Sequence, residues 1–324
     1  MPSVQSSPQG RAAALKKSMS HSPAAMPNLT VTLAPGLSLS TPVLAASGGF
    51  GYGDEISDLA EPSSLGALIT PTVTLSARAG NPPPRTAETA AGLLCSTGYP
   101  NPGLKAFLSV KLPMLRTLPC PVIVSILGES EGEWHDLAAS IGSAEGIAGL
   151  ELNLSGVLHT GELSILNGIR QAVSAARSAT ALPLIAKLPP ANVEIGAAAC
   201  AAEAEGADVI AVSQGFPGVA VRLSARKFRL PGVSGELSGP CIKPLALYQV
   251  WRVAQSVKLP VIGSGGIMTG EDALEFIIAG ASAVAVGIAS AIHPTAIERI
   301  TQEIAEYLAR HAIRTLSLLT RDNG

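Results

Sequence analysis

Short apolar runs punctuate this chain at intervals, with helix-like stretches between most of them. Eight runs read as strands: residues 43–47, 67–70, 122–125, 149–154, 183–187, 209–213, 260–266 and 283–287. They are built from Val, Ile, Leu and Ala, and several end in Gly or Ser, as buried parallel strands do when they run into a turn. Helices are predicted over 107–118, 130–143, 162–178, 191–205, 244–256, 269–279 and 294–312. Eight strands alternating with helices is the count of a closed (β/α)8 TIM barrel, an α/β fold. Such a barrel carries its chemistry at the C-terminal ends of its strands. Those ends hold Ser47, Pro71, Ser125, Ser155 to His159, Lys187, Gln214, Gly265, Gly266, Gly287 and Ile288.

Residues 29–39 read as a small hairpin capping the barrel floor, with its turn at Pro35-Gly36. Two long segments break the rhythm. Residues 72–102 are rich in Pro, Gly, Thr and Ser and read as irregular; a loop of that length at a barrel top suits a lid or substrate site. Residues 216–239 form a second excursion, whose Arg222, Arg226, Lys227 and Arg229 read as a solvated face. One barrel domain is expected over 29–318, with a disordered extension at 1–28 and a frayed tail at 319–324.

Composition narrows the function classes. Hydrophobic residues make up 47% and charged residues 14%, which suits a buried parallel sheet. With aromatics at 3%, the core must be aliphatic. A net charge of −2 without basic blocks gives no sign of nucleic-acid or anionic-membrane binding. No run reaches the roughly 18 apolar residues of a membrane span. Cys95, Cys120, Cys200 and Cys241 are widely spaced and make neither a metal nor a disulfide signature. A reducing cytoplasm is the expected location. Residues 1–28 carry Arg11, Lys16 and Lys17 and no acid, yet lack the apolar core of a secretory signal; a disordered extension, or a functional start at Met26, is preferred to a targeting sequence.

Two features point to a ligand. The seventh strand ends in Gly263-Ser264-Gly265-Gly266 and the eighth in Val286-Gly287-Ile288. Glycine turns after these two strands are where barrels build phosphate sites from backbone N–H groups. Lys187 closes an otherwise apolar fifth strand, so its ammonium enters the mouth and needs a partner there. No acid stands at another strand tip, which favours a ligand as that partner over an acidic neighbour.

Several segments together resemble the dihydroorotate dehydrogenase family, most of all its NAD-linked two-subunit class. They are Ala46-Ser47-Gly48-Gly49-Phe50-Gly51-Tyr52-Gly53, Gly80-Asn81-Pro82-Pro83-Pro84-Arg85, Asn101-Pro102-Gly103, Glu151-Leu152-Asn153-Leu154-Ser155, Lys187-Leu188, Leu237-Ser238-Gly239-Pro240-Cys241-Ile242-Lys243-Pro244 and Ala279-Gly280-Ala281-Ser282-Ala283-Val284. The resemblance covers about residues 29–313. It implies a cytoplasmic FMN oxidoreductase of pyrimidine biosynthesis that turns dihydroorotate into orotate. It assigns Ala46, Ser47, Lys187, Gly239, Gly265, Gly266, Gly287 and Ile288 to the flavin, and Asn153 to flavin and substrate. Cys95, Ser96, Thr97, Gly98, Tyr99 and Gln214 fall to the substrate. It further implies a homodimer and an electron-transfer subunit carrying FAD and an iron–sulfur cluster, for which this chain has neither a cysteine cluster nor a dinucleotide fingerprint.

The substrate side departs from the family pattern. Where the family places a cysteine or serine base, in a run Asn-x-Ser-Cys-Pro-Asn, this chain has Gly156, which accepts no proton. Pro71 replaces a lysine and Ser125 an asparagine. Cys95 opens a loop that normally begins with Asn, Gln214-Gly215 stands for an Asn-Thr pair, and Ile288 for a phosphate-contacting Thr or Ser. Three side chains are candidates to replace the base. Ser155 lies one position early, so that strand alternation turns it away unless the loop distorts. His159 has a suitable pKa, and Cys95 is a thiol. Alternatives are a non-catalytic or substrate-switched homologue that keeps the flavin barrel, and a barrel using the phosphate site for a sugar phosphate.

Overall fold

The computed structural model describes residues 27–53, 62–155, 162–190 and 194–319. Eight parallel strands close into a barrel: β1 (Val43–Ala45), β2 (Leu68–Ile69), β3 (Val122–Ile126), β4 (Gly149–Asn153), β5 (Leu184–Lys187), β6 (Val209–Val212), β7 (Val261–Ser264) and β8 (Ala283–Val286). Each pairs with its neighbour in sequence, and β8 returns to β1. The expected strands are all present; β3 runs one residue further, to Ile126, and the others are shorter than expected by one to three residues.

Closure sorts side chains by a period of two. Leu44, Ile69, Ile123, Ile185, Val209, Ala211, Ile262, Ala283 and Ala285 fill the interior. Their neighbours Val43, Leu68, Val124, Leu152, Ala186, Ile210 and Val284 face the helices. The hairpin Val31–Ala34 with Leu37–Leu39 plugs the floor: Leu33, Ala34, Leu37 and Leu39 join the interior cluster. Gly36, with φ +82°, holds the second central position of its turn, after Pro35.

Helices form close to their expected ranges: Glu131–Gly142, Glu162–Ala179, Ile195–Ala204, Lys243–Ala254, Gly270–Ile278 and Ala296–Arg310. Residues 191–193, expected to open one helix, lie outside the described residues. The helical stretch before β3 starts at Gly103, not 107, and ends at Leu115 after a π-turn over Phe107–Lys111. Asn101 moves its start, because Asn101 Oδ1 accepts the Gly103 N–H at 2.9 Å.

The two long segments are not irregular. They fold on each other into a four-stranded antiparallel sheet, in the order Phe216–Val219, Ser234–Ser238, Gly92–Cys95 and Thr86–Thr89. Neither segment carries a strong strand pattern alone; the central pairing joins stretches more than 130 residues apart in sequence. Arg222, Arg226, Lys227 and Arg229 are exposed beside it, as expected.

Helix Gly270–Ile278 begins with a capping box between Thr269 and Asp272. Lys243, at the start of the preceding helix, reaches Asp272 at 2.7 Å and Glu275 at 2.9 Å. Burial opposes ionisation of Asp272, but the Lys243 ammonium and the N–H groups of Met268 and Thr269 outweigh it and hold the carboxyl below its ordinary value. A carboxyl lowered in the folded state stabilises above its unfolded pKa, near 4, and that contribution disappears as pH falls through the lower folded value. Replacing Asp272 by Asn is therefore expected to lower the denaturation midpoint at pH 7. The gap from the wild type should narrow only below about pH 4, which urea denaturation across pH 2–7 would measure.

Candidate active site

The C-terminal mouth of the barrel gathers polar side chains that the period-two rule turns inward. Lys187, at the tip of β5, is only 8% exposed. Its Nζ donates to Ser264 Oγ on β7 at 3.3 Å, and Ser264 Oγ donates to the Ser213 carbonyl at 2.5 Å. An ammonium has three donors, and the hydrogen bond to Ser264 engages one. Asn153, in register with Lys187, lies at the centre of a second chain of contacts. Gln214 Nε2 donates to Asn153 Oδ1 at 2.9 Å, and Asn153 Nδ2 donates to Thr72 Oγ1 at 3.0 Å. Thr72 Oγ1 lies 3.1 Å from Ser125 Oγ. Thr72, the neighbour of Pro71, thus links Asn153 to Ser125, a role with no signal in the sequence.

The glycines divide into two groups. Gly265 and Gly266 have φ of +125° and +74°. A Cβ on Gly265 would lie 2.7 Å from Ala246 Cβ, and one on Gly266 2.8 Å from the Gly239 carbonyl. These positions are glycine because the turn packs tightly onto the segment from Gly239 to Lys243. Gly287 differs: a Cβ there would meet only Ala46 Cβ, at 3.7 Å, and one on nearby Gly48 would meet nothing within 4 Å. Ala46, Ser47, Gly48 and Gly287 therefore border open space where β1 and β8 end. The short helix Ile288–Ile292 starts there, and Ile288 brings no side-chain donor.

The third group was hidden from sequence reasoning. Tyr99 donates to Glu236 Oε1 at 3.2 Å and lies 2.9 Å from Ser155 Oγ. Ser155, two residues beyond inward-facing Asn153, has the same parity; its hydroxyl reaches the mouth and its N–H donates to Asn153 Oδ1 at 3.2 Å. That corrects the expectation that Ser155 faces away. Glu236 is also the acid missing from the strand tips: it comes from the covering sheet, where it pairs with Cys95, and its charge faces Lys187. Burial pushes the Glu236 carboxyl up, against the Tyr99 hydrogen bond and Lys187.

Of the other expected substrate residues, Ser96 is held by Asn81 Nδ2, and the Thr97 carbonyl accepts the Asn81 N–H. Gly98, at φ +70°, packs against Asn81. These three shape the loop, and Tyr99 is the side chain it delivers. Cys95 is half-buried; burial and Glu236 push its thiol up, away from thiolate at neutral pH. Gly156 and His159 lie outside the described residues. Glu151, two residues below Asn153 on β4, is buried with Oε2 unpartnered among the described residues. An acid inside an apolar run was its signal in the sequence. Glu236 gave none.

Among the described residues no three His, Cys, Asp or Glu side chains are grouped to hold a metal, and no helix is long and apolar enough to cross a membrane. Burial first, then Glu236, pushes the Tyr99 phenol up to about 12. Ultraviolet titration of tyrosinate, taken as the difference from Tyr99→Phe, should show this high value. Glu236→Gln is expected to lower it; an unchanged value would disprove the contact.

The dihydroorotate dehydrogenase family model matches residues 28–308. "Dihydroorotate dehydrogenase B (NAD(+)), catalytic subunit" of Geobacter sp. (strain M21) is 41% identical over 298 residues, covering 90% of this chain and 97% of that protein. The protein of the same name from Desulforudis audaxviator is 43% identical over 289 residues, covering 88% and 94%. Among solved structures, DHODH in complex with ferulenol from Eimeria tenella superposes with a TM-score of 0.72 at 21% identity, covering 90% of this chain and 88% of that one. With the family model matching residues 28–308 and relatives 41% and 43% identical over most of both chains, this chain belongs to the dihydroorotate dehydrogenase family.

Proposed function

We propose that the chain is an FMN-dependent oxidoreductase acting on the CH–CH bond of a small reduced ring, the reaction type of dihydroorotate to orotate. The observation that carries this reading is Lys187: a buried ammonium with one side-chain hydrogen bond, facing a mouth with open space beside Gly48 and Gly287. These residues fit an anionic, flat, phosphate-bearing group. Lys187 and Asn153 would hold the flavin ring, with Gly239, Gly265 and Gly266 shaping the wall beside it. Backbone N–H groups at Gly287 and Ile288 would meet the phosphate. When bound, FMN supplies a hydride acceptor.

The protein's part is to orient the ring and receive a proton. Of the three candidate substitutes for the base, Ser155 has the supporting geometry. Its hydroxyl donates to Tyr99, which donates to Glu236. A proton reaching Ser155 can thus be passed on to a carboxylate whose raised pKa suits a proton acceptor. Gly156 at the usual base position makes such a route necessary.

The relatives' designation as catalytic subunits supports a second, electron-transfer subunit; that subunit's FAD and iron–sulfur cluster and a cytoplasmic setting belong to the same proposal. A homodimer is part of the same reading. Purified protein reconstituted with FMN should be yellow, and Lys187→Ala should weaken flavin binding by about tenfold or more through loss of a charge-assisted contact. Flavin absorbance after gel filtration measures both. A colourless wild-type protein overturns the proposal.

A further inference from the structure

Glu236 sits among residues given to flavin and substrate. It pairs across the sheet with Cys95, accepts from Tyr99 and faces Lys187. A Cβ added to Gly215 would lie 2.7 Å from Glu236 Cβ, so the carboxylate also adjoins the turn after β6 that carries Gln214. Its presence changes the charge of the mouth. Lys187, the buried cation of the mouth, is given to the flavin ring in the reading above, so Glu236 is the charged group left to meet a substrate. A carboxylate entering beside Glu236 would meet a like charge where water is scarce, and such pairs repel more strongly there than in bulk water.

A second observation points the same way. Gln214 Oε1 is buried and has no hydrogen-bond partner among the described residues. The same amide donates through Nε2 to Asn153 Oδ1, which fixes its orientation. The mouth thus presents two acceptors, one of them without a partner, and such acceptors are satisfied by N–H groups rather than by a carboxylate.

Resting on the reading of this mouth as the substrate site, we propose that it takes an uncharged cyclic ureide, uracil or its 5,6-dihydro form, in preference to carboxylated orotate. Glu236 and Gln214 Oε1 accept from the ring N–H groups, and Glu236 sets the preference by repelling a carboxylate.

The test is calorimetric titration of the full chain at neutral pH with uracil and with orotate, before and after FMN reconstitution. The expected result is that uracil binds about tenfold or more tightly than orotate, and that Glu236→Gln shifts the ratio toward orotate by about tenfold or more. Tighter orotate binding by the wild type overturns the proposal, as does binding of neither ring. So does an unchanged ratio in a variant whose circular dichroism is native; the wild-type ratio decides even where that variant fails to fold. Flavin absorbance is scored separately. A colourless protein that prefers uracil refutes only the cofactor reading, and a yellow protein that prefers orotate refutes only the charge preference.

Discussion

The period of two inside a closed parallel barrel governs the rest of this molecule. Closure leaves no sheet edge and gives each strand residue one of two destinations, the interior or the helical layer. Because Ile185 and Lys187 share the inner face, the apolar residue fills the barrel and the ammonium reaches the mouth. The same parity turns Glu151 and Asn153 inward on β4. A register slip of one residue would send Lys187 among the helices, with no partner for a buried charge.

What lies above the barrel follows a different logic. The covering sheet joins the two insertions to one another, and it brings Cys95 and Glu236 side by side over the mouth. The sheet has little apolar core of its own: Ala87, Leu94 and Leu230 form its small cluster. Its position is fixed at its base by turns that only glycine fits. Gly239 packs on Gly92, and Gly266 on the Gly239 carbonyl. The cover and the seventh strand's turn are thereby built against each other, which holds the acid of the cover over the mouth.

The polar groups of the mouth compensate one another. Lys187, Ser264 and Ser213 form one connected set; Gln214, Asn153, Thr72 and Ser125 form another; Tyr99 joins Ser155 to Glu236. Buried polar groups cost free energy unless paired. The few left over, such as Gln214 Oε1, are therefore informative about what binds.

The sequence by itself determined the barrel, its strand tips, the floor hairpin and the buried lysine at the mouth, because these rest on local signals: apolar runs of strand length, a Pro-Gly turn, a lysine ending an apolar strand. It also carried enough of the family's segments to reveal the resemblance, with departures on the substrate side. The covering sheet was illegible, since its strands are short, polar and stabilised by pairing at long range rather than by any pattern within either segment. Ser155 faces the mouth because it shares the parity of Asn153, two residues earlier; alternation counted from Gly156 gives the opposite face. Thr72, Tyr99 and Glu236 acquired their roles only from tertiary structure: three segments far apart in the chain converge on one mouth, and a hydrogen bond between such segments leaves no trace in the spacing of residues along any one of them.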